Sequence, residues 1–277
     1  VDDANPSALH GGLLAALFDD ARFAWNWDRV GLHTGRQLVA TIALGAADLD
    51  RPAEAPTWAP DGFFPEAGFS ILRGSLAPDA SYLHMQHEVD RMRLLGGSHE
   101  HADPLSFILA ARGTDLAIDP GYIDFANHAK VKYGKDHNIL LVDGQGPEFF
   151  LDGFVDSPPN SDAFLHDHAA DGPFTTFVAS TKYAGAELRR RVARITLDGS
   201  PDAPEVFVVA DRGLAAGTHT WTFQLNGLAS EEIGGTTFSS TPLDHGALAT
   251  WQRSQAWLSV VVVGAGAITA SSRLEES

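Results

Sequence analysis

Short apolar runs, most of them strand-length and alternating with polar residues, dominate this chain from about Phe63 onward. They recur at roughly ten-residue intervals, with Gly, Asp, Asn and Pro between them, which is how strands bounded by turns read. The segments 68–74 (GFSILRG), 81–89 (SYLHMQHEV), 105–111 (LSFILAA), 115–118 (DLAI) and 138–142 (NILLV) are of this kind. So are 175–181 (TTFVAST), 188–197 (LRRRVARITL), 205–212 (EVFVVADR), 219–227 (HTWTFQLNG), 248–253 (LATWQR) and 257–264 (WLSVVVVG). The pattern predicts a mainly β protein, a large antiparallel two-sheet β-sandwich of about ten strands or more. Residues 147–173, acidic and carrying Pro158-Pro159, read as a long loop with one or two irregular strands.

The first sixty residues differ. Leu9, Leu13, Leu14, Leu17 and Phe18 fall at helical spacing and predict a helix from about Ser7 to about Ala21, weakened by Gly11 and Gly12. Residues 37–45 (QLVATIALG) fit a helix or a strand equally, and 48–60, rich in Ala, Pro, Asp and Glu, read as a linker. The expected organisation is a helical segment and linker over 1–60 and a sandwich domain over 61–277. Two helical pieces cannot form a core alone, and a first residue of Val is expected of a trimmed chain. The segment is therefore expected to be the tail of a larger helical domain.

Composition narrows the choices. The 277 residues carry 19 Lys and Arg against 36 Asp and Glu, a formal charge of −17, which argues against nucleic acid as a partner. No apolar run reaches the roughly 18 residues of a membrane helix, so no membrane partner is expected. The absence of cysteine excludes disulfides and thiolate metal sites. A homo-oligomer is compatible with everything so far.

The chemistry concentrates between Gly97 and Gly144. His99 and His101, two apart on an extended segment, point to one face. Asp119, followed by Pro120-Gly121, sits where a strand breaks into a turn, a position that also suits a turn-forming aspartate. His137 precedes the run 138–142, and Asp103 before Pro104 suits a turn opening. Residues of ligand type at the ends of neighbouring strands can converge on one metal ion, and two imidazoles with a carboxylate make a zinc set.

These residues stand in a longer pattern. His99-x-His101-x-Asp103-x-x-Ser106-Phe107 is followed by Gly113 and Asp119-Pro120-Gly121, then by His137-Asn138-x-x-x-Val142-Asp143-Gly144. In that order the pieces resemble the C-terminal β-sandwich of the heparinase II/III-like polysaccharide lyases. The resemblance runs from about Phe63 to Asn226. It implies a zinc ion held by His101, Asp119 and His137, with His99 facing a substrate cleft as a catalytic group. It implies eliminative cleavage of a uronic-acid polysaccharide, an α/α toroid before the sandwich as intramolecular partner, and a bacterial enzyme that is periplasmic or secreted. Tyr133 lies where some relatives supply an extra tyrosine, and we expect it as a second catalytic candidate beside an ordinary surface role. Gln224 stands where many relatives carry a histidine. Arg189, Arg190 and Arg191 could meet a substrate carboxylate or stabilise the sandwich, and on a strand at most two of them share a face. Two other readings fit the same residues: a non-catalytic carbohydrate-binding sandwich with a structural metal, and a metal-dependent hydrolase.

Overall fold

The computed structural model describes residues 21–22, 54, 56–57, 59–89, 100–121, 127–148, 151–152, 155–156, 162–199, 205–227, 237–253 and 256–263. The chain divides at Ala59/Pro60 into two units, and nearly all described residues belong to the second. The expected helix over 7–21 apart from Ala21, which is helical, the segment 37–45 and most of the linker lie outside the described residues, as does His99.

Sixteen strands stand among the described residues. They are β1 (Gly62–Phe64), β2 (Phe69–Arg73), β3 (Tyr82–Gln86), β4 (Phe107–Ala111), β5 (Thr114–Ala117), β6 (Leu140–Val142), β7 (Leu151–Asp152) and β8 (Val155–Asp156). There follow β9 (Ala163–Asp171), β10 (Phe174–Tyr183), β11 (Ala186–Thr196), β12 (Glu205–Leu214), β13 (Trp221–Phe223), β14 (Thr237–Leu243), β15 (Gly246–Arg253) and β16 (Ala256–Val263). The ladders between them are antiparallel throughout.

Two sheets make the sandwich: a meander β1-β2-β3-β4-β5 and a second sheet in the order β12-β11-β10-β9. Alternation gives β2, β3, β10 and β11 one buried face each. Leu72, Leu83, Met85, Phe107, Leu109 and Ala117 from the first sheet meet Ala163, Phe177, Ala179 and Val192 from the second in one core. β14-β15-β16 forms a three-stranded sheet, tied to the first when Trp251 Nε1 donates to the Leu116 carbonyl at 2.9 Å. β6 pairs with β13, which places the strand following His137 beside Trp221–Phe223.

Residues 147–173 hold more order than their sequence predicts. β7 and β8 form a hairpin, and β9 is a nine-residue strand paired along β10 with a register shift at Val178/Ala179. Its sequence, AFLHDHAAD, is poor in β-branched residues, so propensity hides it. Pairing with β10 supplies the order instead.

Two buried arginines cross between the sheets. Arg194 pairs with Asp61 at 2.6 Å and Glu205 at 3.3 Å. Arg190 makes a two-pronged pair with Asp211, Nε to Oδ1 at 2.7 Å and Nη2 to Oδ2 at 2.8 Å. Its remaining nitrogen, Nη1, donates to the carbonyls of Leu105 at 2.6 Å and Asn138 at 2.8 Å. Of the three consecutive arginines, Arg190 faces the core while Arg189 and Arg191 are exposed.

Candidate metal centre and its relatives

Three chain segments converge at the ends of β4, β5 and β6. His101 lies in the segment entering β4, Asp119 directly follows β5, and His137 ends the 3₁₀ turn Gly134–Asp136 ahead of β6. One ligand atom from each lies within 4.8 Å of the others. The structure thus brings together the three residues that the sequence nominated as ligands. It does not describe His99. Tyr133 is exposed at 43%, at the start of the 3₁₀ turn, with its backbone N–H donating to Asp136 Oδ2 at 3.2 Å.

Asp119 serves the turn and the cluster at once. Its Oδ1 accepts from the Gly121 N–H at 2.9 Å, closing the Asp-Pro-Gly turn, and its Oδ2 accepts from His137 Nδ1 at 2.7 Å. Gly121 adopts φ +61, which glycine takes without the steric cost a side chain would meet.

Electrostatics divides the two imidazoles. Burial, reinforced by the neighbouring His137, pushes His101 down to about 3, so it is neutral at every ordinary pH. Burial also opposes charge on His137, but the hydrogen bond and negative charge of Asp119 outweigh it, and its pKa is raised. The Asp119 carboxyl is buried too, yet the bond from His137 holds it below the usual carboxylate range. Asp103, facing the same cluster, is pushed up to about 6, chiefly by burial.

Two ring nitrogens of the cluster, His101 Nδ1 and His137 Nε2, are buried without a hydrogen-bond partner. A buried polar atom left unpaired costs about 1–3 kcal/mol. A cation held by two imidazoles and a carboxylate would satisfy such atoms, and this donor set suits zinc. The residues present fit a metal.

The support beneath the cluster centres on Asn138. Its Nδ2 donates to the carbonyls of Phe107 (2.7 Å) and Ile118 (2.9 Å), and its backbone N–H donates to Ser106 Oγ at 3.2 Å. Its Oδ1 accepts from the Asn226 N–H at 2.6 Å, while Asn226 Nδ2 donates to the Asp136 carbonyl at 2.6 Å. One amide side chain therefore fixes the ends of β4 and β5 to the residue beside His137. Ala102 N–H donates to the Lys132 carbonyl at 2.8 Å, joining the His101 segment to the same loop. Gly134 is required by close approach, since a Cβ there would stand 2.9 Å from the Gly146 Cα.

Some groups here carry little sequence signal. Leu105 adopts φ +65 as the third residue of a turn from Asp103, in which Ser106 N–H returns to the Asp103 carbonyl at 2.8 Å. That position of a Pro-led type II turn favours glycine. The Leu105 peptide is held by Arg190 at its carbonyl and by Gln86 O at its N–H. His84 on β3 is half-buried, with Phe69 at 5.2 Å and Tyr82 at 6.4 Å between ring centroids. Burial pushes it down to about 4, against the pull of the Asp119 charge. Nothing in the run 81–89 distinguishes His84 from a surface histidine on a strand; only the fold brings it into the field of Asp119.

The family model described as Heparinase II/III-like, C-terminal, matches residues 57–276. The chain belongs to this family. Comparison with curated proteins by sequence finds no match. Among solved structures, the heparinase II/III-like sandwich is similar to the heparan sulfate lyase HepC from Pedobacter heparinus, at TM-score 0.55 and 16% identity, covering 90% of this chain and 34% of that one. A heparinase III with methylated lysines gives TM-score 0.54 and 14% identity over 87% of this chain and 32% of its own. At such identities the likeness is one of fold. The chain spans about a third of the length of these structures.

Proposed function

We propose that this chain is the sandwich portion of a polysaccharide lyase that cleaves a uronic-acid-containing polymer by β-elimination. The observation that carries this reading is the His101–Asp119–His137 cluster, with two buried, unpartnered ring nitrogens, in a member of the heparinase II/III-like C-terminal family. In the proposed organisation 1–60 is a helical segment and linker, 61–277 is the sandwich, and a helical toroid supplies the other face of the cleft. A polymer substrate is met outside the cytoplasm, so the enzyme is periplasmic or secreted.

His101, Asp119 and His137 would hold zinc. Bound there, zinc would supply a fixed positive charge that draws three strand ends together. The chain's own groups do the rest. In β-elimination a base removes the C5 proton of the uronate, the electron pair forms a C4=C5 double bond, and the C4–O bond breaks. The departing oxygen then takes a proton from an acid. His84, set between Phe69 and Tyr82 and within the field of Asp119, is a candidate for that base, and burial keeps it neutral. Tyr133, 43% exposed, is the candidate donor of that proton, and His99 is the further catalytic candidate.

The test joins metal analysis to product detection in one preparation. We expect about one zinc per chain in wild type and little in His101→Ala. On a panel of uronate polymers, the protein with its helical partner domain should release products absorbing in the near ultraviolet, as an unsaturated uronate does. Zinc-free wild type sinks the ligand assignment. Zinc with polymer retention and no product supports a binding module, and product without that absorbance supports a hydrolase.

A further inference from the structure

The outward face of the β12-β11-β10-β9 sheet concentrates positive charge in a chain of net −17. Arg189 and Arg212 are direct cross-strand partners, and Arg191 lies two residues along β11 on the same face. All three are exposed, and none has an ion-pair partner among the described residues. Like charges directly opposite one another weaken a ladder. The contacts that leave this sheet are made on its other face, by Arg190 to the Leu105 carbonyl and by Arg194 to Asp61.

Three acids share this face: Glu187, Asp167 and Asp171. Glu187 is taken by Lys182 at 3.5 Å at the hairpin end. Asp167 stands across Val178 from Arg191, two strand spacings or about 10 Å away. Following the row from Arg212 through Arg189, the register continues to Ser180 on β10, which bonds His166, and ends at Phe164 on β9. Phe164 is 50% exposed, a flat apolar surface at the sheet edge. Three strand spacings separate the ends of this row, about 14 Å.

We propose that this face is a second glycan site, which holds an acidic polysaccharide chain at a distance from the metal centre. The guanidiniums would take the anionic groups, since their fork geometry matches carboxylate and sulfate alike. Phe164 would stack against a sugar ring at the end of the row. The site lies on the face of β11 opposite Arg190, whose inward side chain reaches the Asn138 carbonyl beside the metal ligand His137. The choice of ligand rests on the lyase reading, and the face itself on charge and register alone.

The test measures retention of the full chain by affinity electrophoresis in alginate, in heparin and in neutral dextran. Wild type should be retarded by one or both acidic polymers and not by dextran, with retardation falling as salt rises. Alginate alone would mark carboxylate as the recognised group, and heparin alone sulfate. The triple variant Arg189→Gln/Arg191→Gln/Arg212→Gln should bind roughly tenfold more weakly or worse, with zinc content and melting temperature unchanged. If that variant does not fold, the triple Arg→Lys variant replaces it and should still bind severalfold more weakly, because lysine lacks the two-pronged geometry. Unchanged binding in the folded variant, retention by dextran, or no retention by either acid polymer overturns the second site. Zinc content and product formation in the same samples report on the metal-centre reading separately. Product with no effect of the arginines leaves the lyase reading standing, whereas arginine-dependent retention without zinc or product leaves the glycan face standing and removes the lyase.

Discussion

At the scale of single residues, the His101–Asp119–His137 cluster depends on the Asn138 amide beneath it. Asn138 spends both side-chain donor directions on the Phe107 and Ile118 carbonyls and its acceptor on Asn226. Asn138→Ala strands these groups in a buried setting and should cost about 2–4 kcal/mol, read as a lower denaturant midpoint at unchanged slope. Asn138→Asp should be worse than alanine despite its similar shape, because it aims a carboxylate at two carbonyl oxygens. An aspartate variant as stable as wild type would refute the hub. The three clustered residues were legible in the sequence because His, Asp-Pro-Gly and His-Asn stand at strand ends. Asn226 was not, for it acts 88 residues away from Asn138 through its backbone N–H. The αL backbone of Leu105 was equally hidden, since a leucine carries no sign of φ +65.

At the scale of elements, alternation exposed most strands directly, β2 to β5 and β10 to β12 above all. β9 escaped because alanine, histidine and aspartate give no β signal, and β10 orders it from outside. The β6–β13 pair has its own fastening in the turn after β6. His219 Nδ1 bonds Asp143 Oδ2 at 2.7 Å, His219 Nε2 bonds the Ala216 carbonyl at 2.9 Å, and Thr220 N–H donates to Asp143 Oδ1 at 2.8 Å. Both ring nitrogens face acceptors, so only the imidazolium satisfies both. The bond to Asp143 raises the His219 pKa, and the Thr220 and His219 bonds lower that of Asp143. A raised histidine stabilises fully below its unfolded value of about 6.5 and loses the contribution as pH rises through the folded value. A lowered aspartate does the reverse, losing its contribution as pH falls through its depressed folded value. The fastening is therefore complete in mildly acidic solution. The melting-temperature difference between wild type and His219→Gln should be largest near pH 5–6 and shrink toward pH 9; a difference that is flat with pH would exclude an imidazolium at this turn.

For the whole molecule, a metal that joins three strand ends would make stability depend on its concentration. Zinc binding only the folded chain should raise the melting temperature in proportion to the logarithm of free zinc above the dissociation constant, and a chelator should reverse it. His101, with a pKa of about 3, needs no deprotonation at working pH, but His137 must give up the proton that Asp119 favours. Zinc affinity should therefore fall as pH is lowered through the raised His137 value, with a proton released per ion bound where His137 is charged. Titration calorimetry in two buffers of different ionisation enthalpy reads that proton. Its absence across pH 5–8 would place His137 outside the coordination set. The sandwich itself was evident from strand rhythm. What the rhythm could not supply was the inward turn of Arg190 and Arg194, because alternation alone does not say which arginine in a run of three has a carboxylate waiting.

That run has a consequence for how the β11–β12 hairpin assembles. Three adjacent arginines offer almost the same composition to either face, so a strand displaced by one residue would look nearly as acceptable by charge. It would turn Arg189 and Arg191 inward together and carry Leu188 and Val192 into water. Only in the native frame does a single inward guanidinium stand opposite Asp211, its direct cross-strand partner. The Asp211 carboxylate thus acts as a reading-frame marker for the sheet. A misframed hairpin would carry unneutralised charge into the core, at a cost of several kcal/mol.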